Sequence, residues 1–441
     1  MPNVYQVNKK IISFNKKIVV PGDKSLSIRW VLFSSIANGI SKAQNLLMSE
    51  DVLAAINAVK KLGIKVSLSN SECTIYGKGI NGYNYKKKIT IDAKNSGTLG
   101  RLILGLLIDT PYKIKIIGDK SLSKRDFKRI ADPLIKFGVK IKLNKRKGLP
   151  LSIQRSNDLK AQPIKYFENK GSAQCKSAVL LAGLKFDNTT FIKAKKSRNH
   201  TELLCKYLKL PITIKNKKKF DYIKINKSKK IKPLNYKIPS DISSSAFFIV
   251  LTALNQNSKL RIKNVNINPS RIGVITILKK MGIKINFYNI KKYKGELISD
   301  VLIVSPKKIK PINCPQKLNS GAIDEFLVIF LVAAKANGVS YFSGLSELNE
   351  KESPRLIWGA KILELMGVKT ITTNDSIKIF GNPKLNINKK IVIKNYLKDH
   401  RVFMTSVIAA LSFGGKWIIH DKDSIATSFP NFLKIIHDLN K

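Results

Sequence analysis

A chain of 441 residues, 44% of them hydrophobic, is longer than one hydrophobic core organises, so two domains are expected. Its formal charge of +53, from 81 basic against 28 acidic residues, taken alone favours polyanionic partners. The lysines, however, are spread along the whole chain beside Ile and Asn, with no basic tail, no aromatic-interleaved basic motif and no zinc-finger spacing, which argues against nucleic-acid binding as the main function.

The amino terminus has no apolar stretch followed by a small-residue cleavage site, and AFFIVLTAL and FLVIFLVAA are too short to span a bilayer, so a soluble, cytoplasmic protein is expected. Cys73, Cys175, Cys205 and Cys314 are far apart with no CxxC pair, which argues against a disulfide framework or a structural zinc site.

In chain order, PGDKSLSIR is a turn leading into the helix IRWVLFSSIANG. It lacks the first glycine that a phosphate loop requires. The next element, AAINAVKKLGIKVSL, is an amphipathic helix ending in Gly63 and followed by a β-branched strand, and the same unit recurs in ADPLIKFGVKIKL with Gly138. It recurs again as GVITILKKMGIKINF with Gly282 and GAKILELMGVKTITT with Gly367, and more weakly in TELLCKYLKLPITIK and FPNFLKIIHDLNK. Each Gly is placed to end its helix in a left-handed conformation. The spacing, roughly 70 to 85 residues, is longer than in solenoids and predicts six units sharing two cores. Strand-like alternations such as KIKIIG, KLRIKNVNI and WIIHD lie between the helices, so the class is α/β.

A second kind of helix is apolar nearly all round: KSAVLLAGL, SSAFFIVLTAL, DEFLVIFLVAA and VFMTSVIAALSF. Such helices are expected to be buried, with Ser172, Ser243 to Ser245 and Asp324 as amino-terminal caps. Buried helix N-termini offer free N–H groups to anions.

Nine segments carry the functional signal: PGDKSLSIR, NSGTLGR, SAQCKSAVLLAGL, SRNHTE, PSDISSSAFF, IDE, KESPR, DHR and ATSFPNF. Together and in this order they resemble the 5-enolpyruvylshikimate-3-phosphate synthase family across nearly the whole chain, and its second class in particular. The resemblance implies the enolpyruvyl transferase fold, an inside-out α/β barrel arrangement of two similar domains, each of three βαβαββ units, with the active site in the inter-domain cleft. Crossovers near residues 21 and 239 would join residues 1–21 to 240–441, the phosphoenolpyruvate and catalytic domain. Residues 22–239 would form the shikimate 3-phosphate domain.

By the same resemblance, Lys24, Ser25, Arg29, Ser172, Gln174 and Arg198, with Asp324 and Lys351, contact shikimate 3-phosphate. Lys24, Gly97, Arg125, Gln174, Arg355 and Arg401 surround phosphoenolpyruvate. Five of these residues are Arg, scarce in this lysine-rich chain, and only Arg offers a planar fork to carboxylate or phosphate. Asp324 is implied as the base at the substrate hydroxyl and Glu352 as the group that gives and takes the C3 proton, with Lys24 and His400 assisting the leaving phosphate. Glu352 needs a raised pKa for that task, whereas neighbouring Lys and Arg would lower it. The resemblance implies no metal, no cofactor and no obligate protein partner, and a monomer is the default.

The chain departs from the family's pattern at Lys94, Asp126, Ser240, Asn349 and Pro354, while Thr427 follows the second class. Gly97 rather than Ala leaves room in the phosphoenolpyruvate pocket, so sensitivity to glyphosate is expected. The sister transferase acting on UDP-N-acetylglucosamine carries a reactive Cys in a loop whose counterpart here, IDTPYKIKIIGDKS, has none. A basic nucleic-acid-binding protein is the alternative of a different class.

Overall fold

A computed structural model describes residues 3–440 except positions 87, 157 and 159. The chain divides into two compact units, one of Met1–Pro21, Pro239–Lys292 and Leu297–Lys441, the other of Gly22–Ile238 with Tyr293–Glu296. The four-residue Tyr293–Glu296 segment lies in the part of the chain that the resemblance assigns to the other domain.

Each unit holds three sheets around its own apolar core. In the unit starting at Gly22, the strands Ile89–Asp92, Ile114–Ile117, Leu151–Arg155 and Val139–Lys142 lie side by side in that order, the first pair parallel and the others antiparallel. The strands Lys165–Glu168, Thr190–Lys195, Phe220–Ile225 and Ile212–Asn216 repeat this arrangement. In the third sheet the parallel partner of Asn38–Gln44 is Tyr236–Lys237, from the far end of the unit, which closes the threefold set.

In the other unit the same position is filled from the amino terminus, Asn15–Ile18 pairing in parallel with Lys259–Asn266. A second amino-terminal strand, Val4–Val7, pairs antiparallel with Gly414–His420.

The four plain helix-stopping glycines all take the left-handed conformation: Gly63 at φ +83°, Gly138 at +91°, Gly282 at +91° and Gly367 at +81°. The weaker copy places Lys209 there, at φ +56°. The apolar helices are buried as their sequences require. Ser172 caps its helix, accepting from the Cys175 N–H at 3.2 Å.

Two capping expectations are corrected. Asp241, not the Ser243 to Ser245 run, caps Ile242–Leu254, because the serines already lie in the first turn. Asp324 precedes the cap position, Glu325, of Phe326–Ala334, and its carboxylate faces cations instead.

All four cysteines are buried and free, and burial raises the thiol pKa of each. Part of the lysine excess packs on aromatic faces, as where Lys193 Nζ lies 4.9 Å from the ring centroids of both Phe167 and Phe220. No helix among the described residues is long and apolar enough to cross a membrane.

Candidate active site

Five of the sequence-predicted site residues begin or cap a helix. Lys24, Gly97, Arg355 and His400 begin Lys24–Ser35, Gly97–Leu106, Arg355–Leu365 and His400–Phe413, and Ser172 caps Ala173–Gly183. Each therefore sits at a positive dipole end, suited to carboxylate and phosphate ligands.

In the unit starting at Gly22, Lys24 Nζ lies 3.0 Å from Asp51 Oδ2, and Ser25 is held by its carbonyl, which accepts from Arg29 Nη1 at 3.0 Å. Arg29 is buried. Its Nε donates to Thr201 Oγ1 at 2.9 Å and its Nη2 to Ser177 Oγ at 3.3 Å, so much of its fork serves the protein itself.

Arg125 Nη2 donates to Asn95 Oδ1 at 2.8 Å, and the Asn95 amide donates in turn to Asp119 Oδ2 at 2.5 Å. Gln174 accepts from Arg101 Nη1 at 2.8 Å and donates to Thr98 Oγ1 at 3.1 Å. A methyl group on Gly97 would lie 2.9 Å from Arg101 Nη1 and 3.1 Å from Arg125 Nη1, so both guanidiniums pack where only hydrogen leaves room. Burial lowers the Arg101 pKa to about 10, with Arg125 and Arg129 adding to the effect.

In the other unit, Arg355 gathers three carboxylates. Its Nε donates to Asp399 Oδ2 at 2.8 Å, its Nη1 to Asp324 Oδ1 at 3.3 Å, and its Nη2 pairs with Glu352 Oε2 and with Asp399 Oδ1 at 3.2 Å. Lys351 Nζ approaches Asp324 Oδ1 at 3.6 Å, and Arg401 Nη1 donates to the Asp324 carbonyl at 2.7 Å. Burial alone would raise the Asp399 pKa, but the Arg355 guanidinium outweighs it and holds the carboxyl below its ordinary value. His400 Nδ1 lies 3.2 Å from Thr427 Oγ1.

The departures fit locally. Lys94 takes φ +51°, a conformation that Gly adopts without strain, and its N–H donates to Asp92 at 2.8 Å. Pro354 takes the cap position before Arg355, where a backbone N–H would have no partner within the helix, and its carbonyl accepts from the Trp358 N–H at 3.0 Å.

The sequence reading did not single out Asp51, Arg101 and Asp399. Arg101 and Asp399 lay inside quoted motifs, and Asp51 showed only as an acidic residue in a helix's first turn.

Two units of three sheets each, with cationic side chains at helix N-termini, are the architecture of the enolpyruvyl transferases. The fold of the transferase NikO from Streptomyces tendae matches with a TM-score of 0.77 at 13% identity, over 99% of this chain and 97% of that one. The profile of EPSP synthase (3-phosphoshikimate 1-carboxyvinyltransferase) matches residues 9–436. A 3-phosphoshikimate 1-carboxyvinyltransferase of Ruthia magnifica subsp. Calyptogena magnifica is 39% identical over 98% of this chain and 97% of its own. One from Bacillus cytotoxicus is 37% identical over 95% and 96%. The solved EPSP synthase of Acinetobacter baumannii matches with a TM-score of 0.86 at 34% identity, covering 98% of this chain and 97% of that one. The chain belongs to the EPSP synthase family and is an enzyme of the shikimate pathway.

Proposed function

We propose that this chain carries out the family's reaction, transfer of the enolpyruvyl group of phosphoenolpyruvate to the 5-hydroxyl of shikimate 3-phosphate, with the residues described above. Lys24, Ser25, Arg29, Ser172, Gln174 and Arg198 hold shikimate 3-phosphate, joined by Lys351 and Asp324. Lys24, Gly97, Arg125, Gln174, Arg355 and Arg401 form the phosphoenolpyruvate pocket.

Asp324 takes the 5-hydroxyl proton as that oxygen bonds to C2, while Glu352 delivers a proton to C3 and makes a methyl group. In the tetrahedral intermediate, Glu352 takes a methyl proton back as the C2–O bond to phosphate breaks, which restores the double bond. Lys24 and His400 stabilise the departing phosphate. Every residue used belongs to one chain, so a monomer suffices.

The observation that carries this reading is the sharing of one guanidinium, that of Arg355, by the two proposed proton-transfer carboxylates, Asp324 and Glu352. An anionic substrate arriving at Arg355 competes with both for Nη1 and Nη2, while Asp399 retains Nε. The carboxylates are then released as the substrate binds.

The test is phosphate release with both substrates together and with each alone, beside Glu352→Gln. Release that needs both and is lost in the variant supports the reading. Release from phosphoenolpyruvate alone, or undiminished release in the variant, overturns it.

A further inference from the structure

The helix His200–Tyr207 begins two residues after Arg198, and its first three residues are buried against neighbouring elements. His200 Nδ1 lies 2.7 Å from Glu296 Oε1. Thr201 Oγ1 accepts from Arg29 Nε at 2.9 Å and is 2.7 Å from Ser177 Oγ. Glu202 Oε1 lies 2.6 Å from Lys176 Nζ, with side-chain exposures of 4% and 0%. Lys176 and Ser177 are consecutive on Ala173–Gly183, so two adjacent residues of one helix meet two adjacent residues of the other.

A Lys–Glu pair this deep is a poor stabiliser, because desolvation of both ions offsets their attraction and a well-packed apolar pair would serve as well. What an ion pair adds is geometry, since it is satisfied at one register only. The register it selects here has a clear reader. Lys176 stands four residues, about one turn, after the cap Ser172, and Glu202 lies in the first turn of the helix that Arg198 precedes by two residues. The Ser177 and Thr201 hydroxyls beside the pair are those that hold Arg29.

We propose that the buried Lys176–Glu202 pair positions Arg29, Ser172 and Arg198 for the phosphate-bearing substrate, by locking the register of His200–Tyr207 against Ala173–Gly183. This rests on the assignment of those three residues to shikimate 3-phosphate. Lys176 and Glu202 do not touch substrate and are positioning residues. Asp221, on the strand Phe220–Ile225, is the further carboxylate near the pair. Its pKa is raised by burial, lowered by Lys176 and Lys196, and raised by Glu202.

The test measures shikimate 3-phosphate affinity by calorimetry and steady-state KM and kcat for both substrates. It uses wild type, Lys176→Met, Glu202→Gln and the doubly neutral Lys176→Met/Glu202→Leu, with thermal melts of each. The double variant, which leaves no uncompensated charge, regains the wild-type melting temperature. Its Kd and KM for shikimate 3-phosphate stay raised by about tenfold, about 1.4 kcal/mol, with kcat and the phosphoenolpyruvate KM little changed. A double variant that binds shikimate 3-phosphate as wild type does overturns the positioning role and leaves the functional reading intact. So does an equal loss across both substrates and kcat. Wild-type protein that neither binds nor turns over shikimate 3-phosphate defeats the functional reading, and the positioning role falls with it.

Discussion

Arg355 and Asp399 meet edge to edge, Nε to Oδ2 at 2.8 Å and Nη2 to Oδ1 at 3.2 Å, and both side chains are buried. Asp399 also accepts from Ser353 Oγ at 2.9 Å and from the Arg401 N–H at 2.9 Å. One carboxylate thus orients the Arg355 fork and caps the helix that carries His400 and Arg401.

Asp399→Asn keeps the shape but removes the charge, leaving Arg355 without its principal partner. Breaking a buried pair in this way costs about 3 to 5 kcal/mol, and kcat/KM for phosphoenolpyruvate is expected to fall by a hundredfold or more as the fork loses its orientation. Melts and steady-state kinetics of the purified variant read both effects.

The same residue sets a pH dependence. Its folded pKa lies below the unfolded value, about 3.9 for Asp, so its contribution is fully present above that value and is lost as pH falls through the lower folded one. The melting-temperature gap between wild type and Asp399→Asn is therefore constant from neutrality to about pH 5 and narrows below about pH 4. A gap that stays constant to pH 2 counts against the assignment.

Gly97→Ala places a methyl 2.9 Å from Arg101 Nη1 and 3.1 Å from Arg125 Nη1, both of them far ends of long side chains that can shift by a few tenths of an ångström. The fold should tolerate the change while the KM for phosphoenolpyruvate rises. Glyphosate, an anion with a carboxylate and a phosphonate, is expected to inhibit the wild type and to inhibit this variant less. Inhibition curves at fixed phosphoenolpyruvate compare the two, and strong residual wild-type activity at inhibitor levels well above substrate counts against the expectation.

The left-handed positions give a matched pair of stability tests. Gly367→Ala introduces a side chain where nothing lies within 4 Å, so its expected cost of about 1 kcal/mol comes from backbone conformation alone. Lys209→Gly removes that strain from the equivalent position of a weaker repeat and is expected to stabilise by several tenths of a kcal/mol. Urea midpoints with opposite shifts bear this out; shifts of the same sign do not.

What the sequence made legible was whatever one residue or a short spacing encodes. Gly63, Gly138, Gly282 and Gly367 announce their own backbone, and Ser172 announces its cap. The role of Asp399 was illegible because its partner Arg355 is 44 residues away in sequence, and the motif around each says nothing of the other. Asp324 was misread as a cap because an Asp just before an apolar helix is usually one, whereas here Lys351 and Arg355 claim its carboxylate. The grouping of Tyr293–Glu296 with Gly22–Ile238 had no local signal, since it rests on packing such as that of His200 against Glu296.

Among the described residues, the strand partner of Val4–Val7 is Gly414–His420, more than 400 residues further along the chain, with Val4 opposite His420. Everything Gly22–Ile238 needs, Glu296 included, is synthesised well before that. The unit of Gly22–Ile238 can therefore mature during translation, whereas in the other unit Asn15–Ile18 waits for Lys259–Asn266 and Val4–Val7 waits for Gly414–His420. Until Gly414–His420 is made, Val4–Val7 has no partner strand to pair with, so slow translation of the last third of the message lengthens its exposure.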